Sequence, residues 1–324
     1  MEVSILKKEL KRQMIKIARY YYVDGMTQEQ IAARMFLSRQ KVGRLMQKLI
    51  PEGIIQITID DSMDTYIDLE QRLEKKFKLK EVVVVSTHDT NHLTLNALGK
   101  AAAQYLDRIV KPNNIIGVAW GRTLTYVSQH IVKERNNLNL SIVQLAGGVF
   151  PYGHFFDGDL ARQSGEITRD ISIKLGAKPY LMHCPLIVDN AQAKRVLIQE
   201  STVNKVFQKV AQCDIVMTSI ASLGKSVTPF IEGVLEEEEL KFLIQHRAVG
   251  NFLFRYFDIE GRLIQAPFYD RLMCPELDIM RKIPLKICVS GTREKINAIY
   301  GGIKGGLVDV LITDSDTAMA LMKK

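Results

Sequence analysis

Residues 27–49 read TQEQIAARMFLSRQKVGRLMQKL. Ile31, Met35, Leu37, Val42 and Leu45, with small Ala32 after Ile31, fall at the spacings of two short helices joined by a tight turn, the helix-turn-helix pattern. Ser38 is a good N-cap for the second helix, from which Val42, Leu45 and Leu49 point inward. The opposite face carries Arg39, Gln40, Lys41, Arg44 and Lys48. Arg and Gln near the start of such a helix reach base edges in a DNA major groove, while Lys41 and Lys48 suit phosphates. Thr27 and Gln28, at the start of the first helix, complete the expected DNA contacts. One position disagrees: Phe36 begins the turn, where a positive φ favours Gly. The alternative is an ordinary helical hairpin with a solvated basic face.

The flanks support the first reading. Leu6 to Val23 forms a preceding helix, with Ile15, Ile17, Ala18 and Tyr22 to pack behind the hairpin, and IIQITI, Ile54 to Ile59, reads as a following strand. Three helices and a strand are the order of a winged helix, so residues 1–60 are expected to form a winged helix-turn-helix DNA-binding domain. Of Tyr20, Tyr21 and Tyr22, at least one is expected to pack.

The chain has 324 residues, 47% of them hydrophobic, enough for a full core and two domains. No apolar run approaches the roughly 20 residues needed to span a bilayer, and MEVSILKKELKRQ is no signal peptide, so the expectation is a cytoplasmic protein with no membrane partner. Cys184, Cys213, Cys274 and Cys288 are scattered, without a CxxC pair, and read as reduced core residues. The net charge of +8 is uneven: residues 1–60 hold 11 Lys and Arg against 6 Asp and Glu, and the remainder has an excess of only three. That concentration fits a phosphate-backbone partner.

Residues 61–80 carry Ile67, Leu69, Leu73 and Phe77 on a charged helix, read as a linker or oligomerisation segment packing on the next domain or a second subunit. From Glu81 to the end, strands EVVVV, IIGVAW, SIVQLAGG, DIVMTSI, PLKICVS and VDVLIT alternate with helices. One of these is expected at about Asp159 to Leu175. That order implies an α/β domain with a Rossmann-like parallel sheet over residues 81–324.

Ligands of such sheets bind at the carboxyl ends of the strands. Three small turns fall there. In GVAWGRT, Gly121, Arg122 and Thr123 open a helix whose free N–H groups, with a hydroxyl and a guanidinium, make an anion cradle. Ala146, Gly147 and Gly148 follow a second strand. In SGTREK, Ser290, Gly291 and Thr292 lead into a helix with Lys295 in its first turn. None matches a dinucleotide or P-loop fingerprint. Each alone could be a capped strand-to-helix turn; together they favour a small phosphorylated ligand.

Along nearly its whole length the chain resembles the SorC/DeoR-type sugar-binding transcriptional regulators. The resemblance rests on DGMTQEQIAARMFLSRQKVGRLMQKL, GVAWGRT, QLAGG, DIVMTSIASL, VGNFLFRYFDIEGR and AIYGGIKGGLVDVLITDSDTAMALM. It implies a homotetrameric regulator of a carbohydrate-utilisation operon whose C-terminal domain is similar to phosphosugar isomerase and CoA-transferase-like folds. That domain would bind a phosphorylated sugar or sugar alcohol without turning it over and without a cofactor. By resemblance, Gly121, Arg122, Thr123, Gly291 and Lys295 look like the phosphate shell, while Gly147, Gly148 and Asn251 fall on the sugar side. Many relatives carry an acidic residue where this chain has Asn251, which offers one acceptor and one donor group instead.

The competing class is an enzyme of phosphosugar isomerase type with an accessory DNA-binding module. Its acid/base candidates are His154, Asp157, Asp159 and Glu166, which read rather as loop groups lining or covering the ligand site. His88 and His92 lack a third metal ligand. Glu236 to Glu239 read as the first turn of a helix, and Trp120 as core or pocket wall.

Overall fold

The computed structural model describes residues 2–57, 66–132, 138–148, 163–223 and 235–324, with side chains from residue 8 onward. It divides into two compact units, Met1–Thr65 and Tyr66–Lys324.

The first unit contains α1 (Glu2–Tyr22), α2 (Gln28–Met35) and α3 (Arg39–Met46). Ile17, Ile31, Val42 and Leu49 are fully buried at its centre, with Met14, Ala18, Ala32 and Leu45 around them. The buried stripe of α1 is thus Met14, Ile17 and Ala18; the expected Ile15 is exposed, lying about 100° around the helix from Met14, and Tyr22 is exposed at the end of the helix. Tyr20 is partly buried and takes the Arg34 guanidinium over its ring at 4.7 Å. Two further expectations change. Helix α3 stops at Met46, so Lys48 lies in the turn beyond it, where Leu49 N–H donates to Met46 O at 3.1 Å. The described part of the wing strand, Ile54–Ile57, forms no strand. The N–H groups of Ile54 and Ile55 both donate to Leu49 O, which folds this segment back on the helical end rather than laying it along a partner strand. Thr58 and Ile59 lie outside the described residues.

The second unit is an α/β/α sandwich. Its seven parallel strands are β1 (Glu81–Val85), β2 (Ile115–Val118), β3 (Ser141–Gln144), β4 (Lys178–Tyr180), β5 (Ile215–Thr218), β9 (Leu285–Val289) and β10 (Val310–Asp314), in spatial order β1-β10-β9-β5-β2-β3-β4. After β2 the chain moves outward through β3 and β4, then returns to place β5 on the other side of β2. The carboxyl ends of β2 and β5 therefore flank the point where the winding reverses.

Against one face pack α5 (Asn91–Ile109), α6 (Arg122–His130) and α7 (Ser164–Leu175), through Leu98, Leu124, Val127, Ile167 and Ile171. Against the other pack α4 (Ile67–Phe77), α9 (Ser201–Val210), α12 (Ile296–Lys304) and α13 (Ser315–Met322), through Leu73, Val206, Val210, Ile299, Ala318 and Leu321. Helix α8 (Ala191–Gln199) precedes α9, while α10 (Glu237–Gln245) and α11 (Leu277–Lys282) complete the described helices. The described part of the helix expected at about Asp159 to Leu175 is α7, which starts at Ser164 after its Gln163 cap; residues 159–162 lie outside the described residues. Glu236 and Glu239 form a capping box on α10, as its acidic first turn implies. Helix α4 belongs to this unit: Glu74 and Glu70 accept the Val82 and Val84 N–H groups at 2.9 and 2.8 Å, covering the outer edge of β1.

The sequence pattern did not announce a second, antiparallel sheet, β6 (Ala221–Ser222), β7 (Gly250–Phe252) and β8 (Arg255–Phe257). Its β7–β8 turn is Leu253–Phe254, with φ of 53° and 61°. Such turns ordinarily use Asn and Gly. Cys213, Cys274 and Cys288 are buried and Cys184 is intermediate, all four unpaired. No helix among the described residues is long and apolar enough to cross a membrane.

One carboxylate ties the strand ends together. Fully buried Asp314 accepts the Thr87 hydroxyl (2.9 Å) and Thr317 N–H (3.0 Å) on Oδ1, and the Thr292 N–H (2.7 Å) and Thr317 hydroxyl (2.8 Å) on Oδ2. Burial pushes its pKa up, but the hydrogen bonds outweigh burial and hold it below the ordinary value. A folded pKa under the unfolded value, about 3.9, gives stability that is present above that pH and lost as the pH falls through the folded value. Asp314→Asn is expected to lose about 3 kcal/mol in urea unfolding at pH 7. Its gap to the wild type should close below about pH 4.

Candidate functional site

In the first unit the exposed residues gather on one side of the α2–turn–α3 element. Thr27 caps α2: its Oγ1 accepts Gln30 N–H at 3.3 Å while Gln30 Oε1 accepts Thr27 N–H at 2.8 Å. Ser38 caps α3 by accepting Lys41 N–H at 3.2 Å. These caps set where each helix starts, and so which way its first side chains point. Thr27, Ser38, Arg39, Gln40, Lys41, Arg44 and Lys48 are exposed and Gln28 is partly so. Arg39 Nη1 lies 3.5 Å from Glu29 Oε1, a solvent-exposed ion pair worth under about 1 kcal/mol and readily exchanged for an anion. Four of the basic or amide side chains, Arg39, Gln40, Lys41 and Arg44, share a helix whose other face, Val42 and Leu45, is locked in the core.

The second unit presents its site at the carboxyl ends of β2, β5 and β9. Gly121 ends the β2 turn at φ 109°, with open space where a Cβ would stand, and it starts α6 without a side-chain cap. Thr125 N–H and Oγ1 both donate to Gly121 O, at 3.0 and 3.1 Å, fixing the turn from below. Arg122 is partly buried and Thr123 buried.

From β9, Ser290 Oγ donates to Ile220 O at 3.0 Å, which joins this turn to the end of β5. Gly291 follows, where any Cβ would stand 2.2 Å from Asp314 Oδ2. Thr292 is held at φ 80°, and Lys295 closes a short 3-10 turn, Arg293–Lys295, through Lys295 N–H to Thr292 O at 3.0 Å. The Lys295 ammonium titrates below the ordinary lysine range, first because it is buried and then because of the Arg122 charge; Glu294 and Cys288 pull more weakly the other way. The Arg122 charge thus acts on Lys295 from a different strand end, at a helix start without a side-chain cap. That arrangement favours an anion. The hydroxyls of Thr292 and Ser219 are buried there with no hydrogen-bond partner among the described residues. Ser219 and Asp314 were not singled out from sequence, although an Asp two residues before a strand-to-helix Asp-Thr pair is a capping signal.

Other expected residues have different roles. Gly147 N–H donates to Met273 O and Gly148 N–H to Cys184 O. A Cβ on Gly147 would stand 2.3 Å from Pro185 O, so this turn needs glycine for the close approach of its own backbone. Asn251 is buried, and its Oδ1 accepts Phe254 N–H at 3.2 Å, bracing the strained Leu253–Phe254 turn. Phe254 in turn stacks on Trp120 at 5.6 Å, one residue from Gly121, making the tryptophan a wall of the β2 turn. Glu166 caps α7 through Gln163 N–H at 2.9 Å and is exposed. His154, Asp157 and Asp159 lie outside the described residues. His92 Nδ1 is 2.7 Å from Tyr126 Oη, and among the described residues no three His, Cys, Asp or Glu are grouped as metal ligands.

Comparison with known proteins follows the same division. The Sugar-bind family, a sugar-binding domain, matches residues 61–323. The deoxyribonucleoside regulator of Bacillus subtilis (strain 168) is 29% identical over 318 residues, 98% of this chain and 99% of its own. The sorbitol operon regulator of Klebsiella pneumoniae is 26% identical over 313 residues, 96% and 98%. The crystal structure of full-length SorC from Klebsiella pneumoniae superposes with a TM-score of 0.73 at 26% identity, covering 96% of this chain and 98% of that one.

A lysine whose folded pKa is lowered opposes folding while charged, and the penalty fades as the pH rises toward about 10.4. Lys295→Met is therefore expected to raise the melting temperature of the ligand-free protein at pH 7, with the advantage shrinking near pH 10. In the same thermal-shift series, phosphate at a hundred times its Kd should stabilise the wild type by about 2.7 kcal/mol and leave Lys295→Met unmoved.

Proposed function

The chain belongs to the sugar-binding-domain family of SorC/DeoR-type transcriptional regulators, and from that premise we propose how its two units divide the work. Residues 1–60 read operator DNA. Arg39, Gln40 and Arg44 face base edges, Thr27, Gln28, Ser38, Lys41 and Lys48 hold the phosphate backbone, and the unit acts as a helix-turn-helix in an oligomer. Residues 81–324 bind a phosphorylated sugar or sugar alcohol, with the family's likeness to phosphosugar isomerases extending to the ligand but not to turnover.

The observation that carries this reading is the meeting of Arg122 and Lys295 beside the uncapped start of α6. A phosphate there accepts hydrogen bonds from the Arg122, Thr123 and Gly291 side of the cradle and relieves the mutual repulsion of the two cations. Thr292 and Ser219 offer hydroxyls to the remainder of the ligand. Gly147, Gly148 and Asn251 lie on the sugar side, where Asn251 Oδ1 also braces the Leu253–Phe254 turn and its amide Nδ2 is left as a donor to the ligand. No cofactor is needed. The protein works in the cytoplasm as a homotetramer, and the ligand acts by favouring one quaternary arrangement, because equal affinity for two arrangements would shift neither.

Fluorescence anisotropy tests the division, using DNA from upstream of the protein's own gene and a panel of phosphorylated and free sugars. One phosphosugar should release or tighten the DNA while its free sugar does nothing. Arg44→Ala should weaken specific DNA binding by about tenfold or more and leave phosphosugar binding intact. Lys295→Ala should keep DNA binding and lose the phosphosugar response. Equal damage to both activities by both variants, with the fold preserved, would disprove the two-site assignment; phosphosugar turnover would favour the enzyme instead.

A further inference from the structure

Phe36 is the most exposed large hydrophobic side chain among the described residues, at 96%, and its backbone is left-handed, φ 55° and ψ 41°. Both features oppose folding. Glycine is the usual residue at this helix-ending position because it alone enters that conformation without a Cβ penalty, and a ring in water returns nothing from packing. Its chain neighbours behave differently: Met35 and Leu37 are partly buried against the core of the first unit. Phe36 is thus a single apolar ring held out between α2 and α3, two residues before the Ser38 cap and three before Arg39. Exposed Arg34, Arg39, Gln40 and Lys41 surround it in sequence.

A protein partner would need an apolar patch, and the flanking apolar residues point inward. The basic flanks and the adjacent start of α3 fit a polyanion. In a major groove the one apolar group on a base edge is the thymine C5-methyl, and a phenyl ring, lacking donors and acceptors, can select nothing else there.

We propose that Phe36 is a specificity-determining residue that covers a thymine methyl beside the bases read from the start of α3. The inference rests on the DNA-binding reading of residues 1–60. Strain is retained at this turn because the ring contributes to recognition rather than to folding.

The test uses the full-length chain and a duplex that it selects from a random DNA library, with each thymine replaced in turn by deoxyuracil. The wild type should lose about fourfold in affinity at one position per half-site, the worth of one methyl group. Phe36→Ala and Phe36→Gly should bind the parent duplex about fivefold to tenfold more weakly and be indifferent to that replacement, while Phe36→Gly melts higher than the wild type. Binding to non-selected DNA and its salt dependence should not change. If Phe36→Gly bound the selected duplex as tightly as the wild type, or kept the same deoxyuracil sensitivity, the proposal would be wrong although the DNA-binding reading stood. A change of oligomeric state in Phe36→Gly with no coupling to any methyl would assign the ring to a protein contact. Failure of the wild type to select any sequence would remove both readings.

Discussion

A buried carboxylate without a cation organises the ligand end of the second unit. Asp314 is saturated by two backbone N–H groups and two hydroxyls, so its charge is dispersed over β1, β9 and the start of α13 at once. This leaves nearby basic groups for another use. Arg293 pairs with Asp316 on the surface, while Lys295 lies within the electrostatic reach of Arg122. Hydrogen bonds from uncharged groups keep the carboxylate ionised and keep the cradle positive.

Much of this architecture was legible in the chain because it depends on period. Alternating apolar strands and amphipathic helices gave the parallel sheet, and the position of small residues after strands located Gly121, Arg122, Thr123, Gly291 and Lys295. What glycine and asparagine do in the fold was not legible. The Ala146–Gly148 turn looked like a ligand turn, yet Gly147 is small because Pro185 O approaches it, a contact separated by nearly forty residues of sequence. Asn251 reads as a ligand side chain, and its Oδ1 also holds a turn. The β6–β8 sheet escaped notice because its strands have two or three residues and its tight turn is Leu-Phe, which carries none of the usual turn chemistry. The described part of the expected wing, Ile54–Ile57, is no strand despite its β-branched composition, and on α1 Ile17 and Ala18 are buried as expected while Met14, as apolar as Ile15, takes the place expected for Ile15.

Eight non-glycine residues among those described have positive φ, and four of them, Lys78, Asn113, Asn139 and Arg247, lie in turns outside the candidate sites. Of the others, Phe36 stands at the turn between α2 and α3, Thr292 in the turn after β9, and Leu253 with Phe254 behind Trp120. The last two are compensated by the surrounding structure: Thr292 by its bond to Asp314, Leu253 and Phe254 by near-complete burial and the Asn251 brace. Bulky residues in left-handed conformations persist only where neighbours over-determine them or where the strain serves a contact. Glycine would be easier to fold at each place and would leave the side-chain position empty.

The glutamates of α4 bear on how copies of this chain can join. An edge strand with free N–H groups is a template for another strand, and sheets left open in this way fuse into dimers or fibres. Here Glu70 and Glu74 occupy the Val82 and Val84 donors along β1, and the opposite edge strand, β4, is three residues long with Pro179 at its centre, which has no N–H to offer. Neither margin of the seven-stranded sheet can be continued. Copies of this chain are therefore not joined by extending the seven-stranded sheet, which leaves its helical faces as the surfaces open to contacts that can slide or rotate.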